Sequence, residues 1–286
     1  MLSNKVREIM SNEIITAEVT SMIFAVMEQM VAKNVGRVVI TNKGTPAGIF
    51  TEKDVLRRVM NKPLDPKTTR VKEVMTSPIR TVGRETRILD ALGRMYKGKF
   101  RRLLVRGEKG QIVGIISMRR ILKLAVELGK GLTEHRTIGS IMSGKLVTVE
   151  PSTSIHDAIE TMIQEDTGCI VVASGEQPKG IFTERDVLKR VAVKNIDTRG
   201  ARIHEVMTPE LITAPESALI GEVLAEMYNR EVRNLPITGE GGKLAGIVSM
   251  SDVLQYAKAL DIDEAVRQAW KEVKEFWESE THYTPG

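Results

Sequence analysis

Four short segments of the chain place a hydroxyl side chain after an apolar stretch and a charged side chain three residues later. The pairs are Thr51 and Asp54, Ser117 and Arg120, Thr183 and Asp186, and Ser249 and Asp252. If a strand passes into a helix at such a segment, the first backbone N–H groups of the helix have no internal partners and attract a phosphate. A carboxylate at this spacing can accept hydrogen bonds from both hydroxyls of a ribose. The pattern therefore predicts sites for a ribose and its phosphate.

The same spacing also has a purely structural interpretation. Ser/Thr-x-x-Asp is close to a capping box, in which the two side chains satisfy backbone N–H groups at the start of a helix, and one aspartate can serve both purposes. In the second pair, Arg120 cannot accept a hydrogen bond from a ribose and is unfavourable in a first helical turn. We therefore expect that site to be degenerate. Arg120 either reaches a phosphate held in a neighbouring cleft or is a solvated surface residue.

These segments belong to an internal repeat. GIFTEKDVLRRV from Gly48 recurs as GIFTERDVLKRV from Gly180, 132 residues later, and glycines recur every 66 residues at Gly48, Gly114, Gly180 and Gly246. The chain thus contains four units of roughly 60 residues, which we call repeats 1 to 4. The predicted boundaries are 1–62 for repeat 1, 63–126 for repeat 2, 127–194 for a linker and repeat 3, 195–258 for repeat 4, and 259–286 for a C-terminal helix and tail.

Each repeat shows the same order of structural signals. After a short apolar strand, apolar residues fall at helical spacing, as at Ile23, Val26, Met27 and Met30 in repeat 1. Two further strands and a second helix follow, which gives β-α-β-β-α. One such unit is too small to cover both faces of its sheet. We therefore predict an α+β fold of two paired modules, repeats 1 with 2 and 3 with 4, in a disk-like arrangement. A hinge is predicted at 127–137 and an added helix at 261–279.

Further residues could complete a nucleotide site. Adenine needs an apolar slot with backbone edges, and short apolar strands could provide it or could simply be buried; the residues are Ile15, Thr16, Val147, Thr148, Ile212 and Thr213. Arginines before the second strand of a repeat could contact phosphates or form surface salt bridges; these are Arg37, Arg101, Arg102 and Arg233. Cys169 stands in repeat 3 at the position of Arg37.

Composition limits the function classes. With 42 Lys and Arg against 37 Asp and Glu, the net charge of +5 is small for 286 residues, and aromatic residues make up only 4%, which argues against a stacking platform for nucleic acid. A single cysteine excludes an intrachain disulfide and a cysteine-rich metal site. The four histidines lack ligand spacing, and no catalytic set of residues occurs. We expect a cytoplasmic protein with no membrane span, no catalytic residues and no metal.

The repeated features resemble the CBS domain, the family named for cystathionine β-synthase. The matching features are the Val/Ile-Met-Thr/Ser opening, the Ile-x-Thr strand and the closing Gly-apolar-apolar-Ser/Thr-x-x-Asp, from Val6 to about Ala257. Four repeats in one chain are similar to the γ subunit of AMP-activated protein kinase and its archaeal stand-alone relatives. The resemblance implies paired repeats with ligand clefts, in which the Ser/Thr and Asp hold phosphate and ribose.

The resemblance also implies a function. We expect regulatory binding of AMP, ADP or ATP, with no other cofactor, by a non-enzymatic sensor that controls a partner protein. A homodimer is possible. The alternatives are a sensor of S-adenosylmethionine-type ligands and a nucleic-acid-binding protein, for which steep salt dependence of binding would be the signature.

Overall fold

The computed structural model describes residues 5–98, 100–121, 136–209, 211–250 and 252. Each repeat contributes one three-stranded sheet and one ten-residue helix, so the predicted α+β class with four repeats is confirmed. The helix predicted at 261–279 and most of the predicted hinge lie outside the described residues.

The strands and helices follow the predicted order. The strands are β1 (Thr16–Glu18), β2 (Arg37–Asn42), β3 (Thr45–Thr51), β4 (Thr81–Gly83), β5 (Arg102–Arg106), β6 (Ile112–Ser117), β7 (Thr148–Val149), β8 (Cys169–Ser174), β9 (Gln177–Thr183), β10 (Ala214–Pro215), β11 (Asn234–Thr238) and β12 (Leu244–Ser249). The long helices are α1 (Ile23–Ala32), α2 (Ile88–Lys97), α3 (Ile155–Gln164) and α4 (Ile220–Asn229).

Short helical segments connect these elements. In repeats 1 and 3, a helical turn follows the sheet directly and continues as a π-helical stretch: Glu52–Asp54 into Val55–Val59, and Glu184–Asp186 into Val187–Ala192. The other short helices are Val6–Ile9, Val71–Glu73, Ile138–Ser140, Ile203–Glu205 and Glu240–Gly242.

Every sheet has the same topology. The first strand lies parallel to the second, with the long helix as the crossover, and the second lies antiparallel to the third. In repeat 1, Val39 pairs with Thr16 on one side and with Ile49 on the other. A bulge interrupts the second and third strands in all four sheets, and each of the glycines spaced by 66 residues lies beside it.

Those glycines explain how the repeats pair. A Cβ on Gly48 would lie 2.5 Å from Met75 Sδ, and one on Gly114 would lie 2.8 Å from Met10 Sδ. Repeats 1 and 2 thus exchange their methionine segments, each of which lies against the partner's bulge where only glycine leaves room. Repeats 3 and 4 make the same exchange through Gly180 with Met207 and Gly246 with Met142. Antiparallel bridges accompany each exchange, between Ile49 and Thr76, Ser11 and Ile115, Ile181 and Thr208, and Ser143 and Ile247.

Two hydrophobic cores then join the modules. One core combines residues of repeats 1 and 3, including the fully buried Phe50 and Phe182, and the other combines residues of repeats 2 and 4. The apolar face of α1 shows the contribution of each long helix, because Ile23, Val26 and Met27 are buried. Complete burial of such a side chain contributes about 1.5–3 kcal/mol. Every repeat therefore contacts one repeat through its sheet and another through its helices.

Candidate functional site

The predicted hydroxyl–carboxylate pairs form capping boxes. The Thr51 backbone N–H and Oγ1–H donate to Asp54 Oδ2 at 2.9 and 2.6 Å, and the Asp54 N–H donates to Thr51 Oγ1 at 3.3 Å. Equivalent hydrogen bonds join Thr183 to Asp186 and Ser249 to Asp252. One carboxylate oxygen of each aspartate is thus used to start a helix.

The second carboxylate oxygen distinguishes the three aspartates. Asp54 Oδ1 accepts a hydrogen bond from Thr76 Oγ1 at 2.8 Å and lies 3.5 Å from Arg58 Nη1, and Asp186 Oδ1 lies 3.4 Å from Arg190 Nε. Within the described part of the chain, Asp252 Oδ1 has no such partner. On the contacts made by the described residues, Asp252 is the one of these three aspartates whose second carboxylate oxygen is left to accept from a ligand.

Arg58 and Arg190 were not singled out by the sequence analysis. Arg58 Nη1 donates to the carbonyl oxygens of Val74 and Met75 at 3.1 and 2.7 Å, and Arg190 makes the matching bonds to Val206 and Met207. Each arginine therefore ties the helix after the capping box to the methionine segment of the partner repeat. The sequence feature that could have identified these two residues is an arginine four residues after the aspartate. Repeats 2 and 4 have no arginine at that position.

A central cavity of about 610 Å³ lies where all four repeats meet. Repeat 4 contributes Ser249 and Asp252, and repeat 3 contributes Lys145 and Val147. Six arginines from the four repeats also line it. Five of them, which we call the arginine cluster, are Arg37, Arg101, Arg102, Arg185 and Arg233, and the sixth, Arg119, donates to Glu231 Oε1 at 3.2 Å. The volume falls in the range of ordinary small-molecule sites.

Two buried glutamates hold three members of the arginine cluster. Glu52 Oε2 accepts from Arg233 Nη1 at 2.8 Å, and Glu52 Oε1 accepts from Arg185 Nε at 3.2 Å. Arg101 Nη2 donates to both oxygens of Glu184, at 3.2 and 3.3 Å. Burial alone would raise the pKa of Glu52, but Arg233, Arg185 and Arg102 together lower that pKa from 4.5 to about 2. Glu52 is therefore ionised at neutral pH.

The positive charges of the other two arginines, Arg37 and Arg102, are less well balanced by carboxylates. Arg37 Nε is buried without a hydrogen-bond partner. Burial and the neighbouring Arg233 lower the pKa of Arg37, and burial, Arg37 and Arg233 lower the pKa of Arg102. An anion in the central cavity would relieve this repulsion between cations.

Cys169 lines the same cavity from repeat 3, at the position that Arg37 holds in repeat 1. Burial raises the pKa of its thiol to about 12. The side chain is therefore a neutral part of the wall at physiological pH.

The cleft beside Asp54 is smaller than the central cavity, and different side chains occupy it. Its cavity of about 160 Å³ is lined by Thr76, Arg80, Phe100 and Arg102. Arg80 stands where repeat 3 has Val147, and its guanidinium carbon lies 5.5 Å from the centre of the Phe100 ring. This cleft has less room than a small-molecule site normally needs. Arg102 borders both cavities.

The structure brings seven of the predicted site residues to the central cavity: Arg37, Arg101, Arg102, Val147, Arg233, Ser249 and Asp252. The remaining predicted residues line neither the central cavity nor the cavity of about 160 Å³: Ile15, Thr16, Thr51, Asp54, Arg120, Thr148, Thr183, Asp186, Ile212 and Thr213. Their roles in binding stay predictions. Arg120 is exposed, and its backbone N–H donates to Ser117 Oγ at 3.3 Å.

The bridges between repeats show which strand faces which capping box. The bridge between Ser143 and Ile247 places the segment leading to Val147 beside Ser249. The bridge between Ser11 and Ile115 places the segment leading to Ile15 beside Ser117, the site without a carboxylate. Each capping box thus faces the first strand of its partner repeat, which the sequence did not reveal.

The described residues contain neither a metal-binding cluster nor a membrane-spanning helix. Among them, no group of three or more His, Cys, Asp or Glu side chains is arranged to hold a metal ion. None of the helices in that part of the chain has the length and apolar character needed to cross a membrane.

The family model described as the CBS domain matches residues 6–61, 71–127, 138–193 and 203–259. CBS domain-containing protein CBSCBSPB1 of Arabidopsis thaliana is 24% identical over 296 residues, which cover 89% of this chain and 54% of that protein. The chain spans about half the length of the Arabidopsis relatives it matches.

Two solved structures cover 88% of the chain and 99% of their own. Protein MJ1225 of Methanocaldococcus jannaschii, described as a candidate archaeal homologue of γ-AMPK, matches with a TM-score of 0.76 and 19% identity. An uncharacterised conserved protein of Pyrococcus horikoshii matches with a TM-score of 0.60 and 19% identity. At this identity the similarity establishes the fold alone.

Proposed function

The chain belongs to the CBS domain family, and from this membership we propose that it is a regulatory sensor that binds an adenine nucleotide between repeats 3 and 4. CBS domains are generally regulatory and commonly bind adenosine-containing ligands. The proposed ligand is AMP, ADP or ATP, and no further cofactor is proposed.

The observation that carries the proposal is the combination of groups around the central cavity. Asp252 Oδ1, which has no partner among the described residues, could accept from the ribose hydroxyls, and Val147 could provide an apolar wall for the base. The arginine cluster offers charge-assisted hydrogen bonds to the phosphates. One cavity of adequate size thus contains groups suited to binding the base, the ribose and the phosphates of a nucleotide.

The sites of Asp54 and Asp186 are weaker candidates for ribose binding than the site of Asp252. Ribose binding by Asp54 or Asp186 would compete with the contacts that Arg58 and Arg190 already make with these carboxylates. We propose that the site of Asp252 fills first and that at most three of the four clefts bind nucleotide, because Arg120 replaces the carboxylate in repeat 2.

The regulatory output is also proposed. Every repeat contributes an arginine to the central cavity or a glutamate that holds one, so a ligand there would contact the interface between the two modules. We propose that this interface controls a partner protein in the cytoplasm, with a homodimer as one possible assembly. Arginines enclosed in a cavity suit a nucleotide better than a nucleic-acid strand, which needs an open groove.

The test is calorimetric titration of AMP, ADP, ATP and S-adenosylmethionine into the wild-type chain and into Asp252→Asn. The variant should lose tenfold to a hundredfold in affinity for the preferred ligand, because hydrogen bonds to a carboxylate contribute about 1.5–3 kcal/mol. Asp157→Asn is the matched control, because Asp157 caps α3 with Ser154 outside the cavity. Asp252→Asn that binds every ligand as tightly as the wild type would refute the proposal.

A further inference from the structure

The four repeats differ at the middle position of the Ile/Leu-x-Thr segment that leads into the first strand. This position holds Arg80 in repeat 2 and an aliphatic residue in the other repeats: Ile15, Val147 and Ile212. The Arg80 carbonyl accepts a hydrogen bond from the Leu104 N–H at 3.0 Å. The Val147 carbonyl accepts from the Val171 N–H at the same distance, 3.0 Å. Repeat 2 therefore keeps the backbone arrangement of repeat 3 but places a charged side chain where repeat 3 has an aliphatic one.

Two further residues of repeat 2 position the Arg80 side chain. The guanidinium carbon of Arg80 lies 5.5 Å from the centre of the Phe100 ring. Phe100 stands two residues before the second strand, where the other repeats have smaller side chains: Val35, Thr167 and Val232. The ring lies against Gly98, because a Cβ on that residue would overlap the ring atoms. The other repeats have long side chains at the position of Gly98: Lys33, Glu165 and Arg230. Three differences that are specific to repeat 2 thus support one another.

The pair of Arg80 and Phe100 lies beside the capping box of repeat 1. Both residues line the cavity of about 160 Å³ together with Thr76, whose hydroxyl donates to Asp54 Oδ1 at 2.8 Å. Arg80 is exposed and Phe100 is half-buried. The guanidinium therefore lies on the side of this cavity that is open to solvent, and it covers the cleft that contains the carboxylate of Asp54.

A nucleotide base that enters this cleft must displace the guanidinium or bury it. Displacement loses the attraction between the cation and the aromatic ring. Burial of a cation without a partner costs desolvation free energy. An aliphatic side chain at the same position imposes neither cost. A group that opposes the binding of one ligand is a general source of specificity.

We propose that Arg80, stacked on Phe100, closes the cleft beside Asp54 to nucleotides and thereby restricts nucleotide binding to repeats 3 and 4. The inference rests on the proposed function for the chemistry of an open cleft. Repeats 1 and 2 then lose both of their clefts, for different reasons. Arg120 replaces the carboxylate in one cleft, and Arg80 covers the carboxylate in the other. Arg80 is in this sense a specificity-determining residue.

The experiment is calorimetric titration of AMP and ATP into the wild-type chain, Arg80→Val and Phe100→Val. Arg80→Val introduces the residue of repeat 3 and should gain one nucleotide site per chain. Phe100→Val should gain the same site, because the guanidinium loses the ring on which it stacks. Addition of Asp54→Asn to Arg80→Val should remove the gained site and no other. Arg84→Val is the matched control, since Arg84 is exposed and outside the cavity, and it should gain no site.

Two results would overturn the inference: an Arg80→Val chain that gains no site, or a wild-type site that depends on Asp54 and is lost in Arg80→Val. The second result would show that Arg80 binds the base instead of excluding it. If Arg80→Val does not fold, Phe100→Val decides in its place. The gain is counted against the wild type, so the outcome separates from that of Asp252→Asn. A site gained by a chain whose wild type binds no nucleotide would support the inference and refute the proposed function.

Discussion

Repeats 1 and 3 use the helix-start motif differently from repeats 2 and 4. The hydroxyl residue is followed by a buried glutamate in repeats 1 and 3, Glu52 and Glu184, and by a methionine in repeats 2 and 4, Met118 and Met250. Only repeats 1 and 3 place an arginine four residues after the aspartate. Similar motifs therefore hold modules together in one half of the molecule and line an open cavity in the other.

This difference between the repeats shows that a carboxylate at the motif position is not sufficient to make a ligand site. Asp54 and Asp252 make the same capping hydrogen bonds, and their second oxygens decide what else they can do. Asp54 Oδ1 is already used by Thr76 and Arg58. The neighbours of the motif, contributed by the partner repeat, determine its function.

The largest expected effect comes from removing the charge of Glu52. Glu52→Gln should destabilise the chain by about 3 kcal/mol, because Arg185 and Arg233 lose a buried partner. Chemical denaturation measures this loss. Glu226→Gln is the control, since the exposed pair of Glu226 with Arg230 should contribute only about 0.3–0.5 kcal/mol. A loss for Glu52→Gln no larger than that of the control would show that the ion pairs do not hold the modules together.

The same residue predicts how stability depends on pH. The pKa of Glu52 is lowered from 4.5 to about 2 in the folded state, so its contribution is complete above pH 4.5 and is lost as the pH falls towards 2. The difference in unfolding free energy between the wild type and Glu52→Gln should therefore shrink over this range. A difference that stays constant from pH 5 to pH 2.5 would contradict the assignment.

A smaller effect should separate the aspartates. Asp54→Ala and Asp186→Ala lose a helix cap and an additional contact to Arg58 or Arg190, and each should cost about 2 kcal/mol or more of stability. Asp252→Ala loses the cap alone, for about 1 kcal/mol. Thermal unfolding without ligand gives the order. Equal losses for all three would remove the distinction between the two halves.

Much of the fold could be predicted from the sequence, because helical spacing and the repeat period depend on local pattern. The apolar positions from Ile23 in repeat 1 predicted α1, which is observed at Ile23–Ala32. The pairing of repeats 1 with 2 and 3 with 4 followed from the limited core of one unit, and the contacts between glycine and methionine confirm it.

The site was less predictable, because it depends on contacts between repeats. The motif residues could be read from the chain, but the sequence could not show that Glu52 meets Arg185 and Arg233 across the modules. Nor could it show that Arg80 and Phe100 fill the cleft beside Asp54. Residues of different repeats that meet in the folded chain leave no pattern in the local spacing of the sequence.

The number of tight nucleotide sites per chain tests the central claim most directly. Calorimetric titration of ATP into the wild-type chain should give one high-affinity site, and this site should disappear in Asp252→Asn while it persists in Asp54→Asn and Asp186→Asn. Three equivalent high-affinity sites in the wild type, or a high-affinity site that survives Asp252→Asn, would contradict the claim that the open cleft of repeats 3 and 4 is the main binding site.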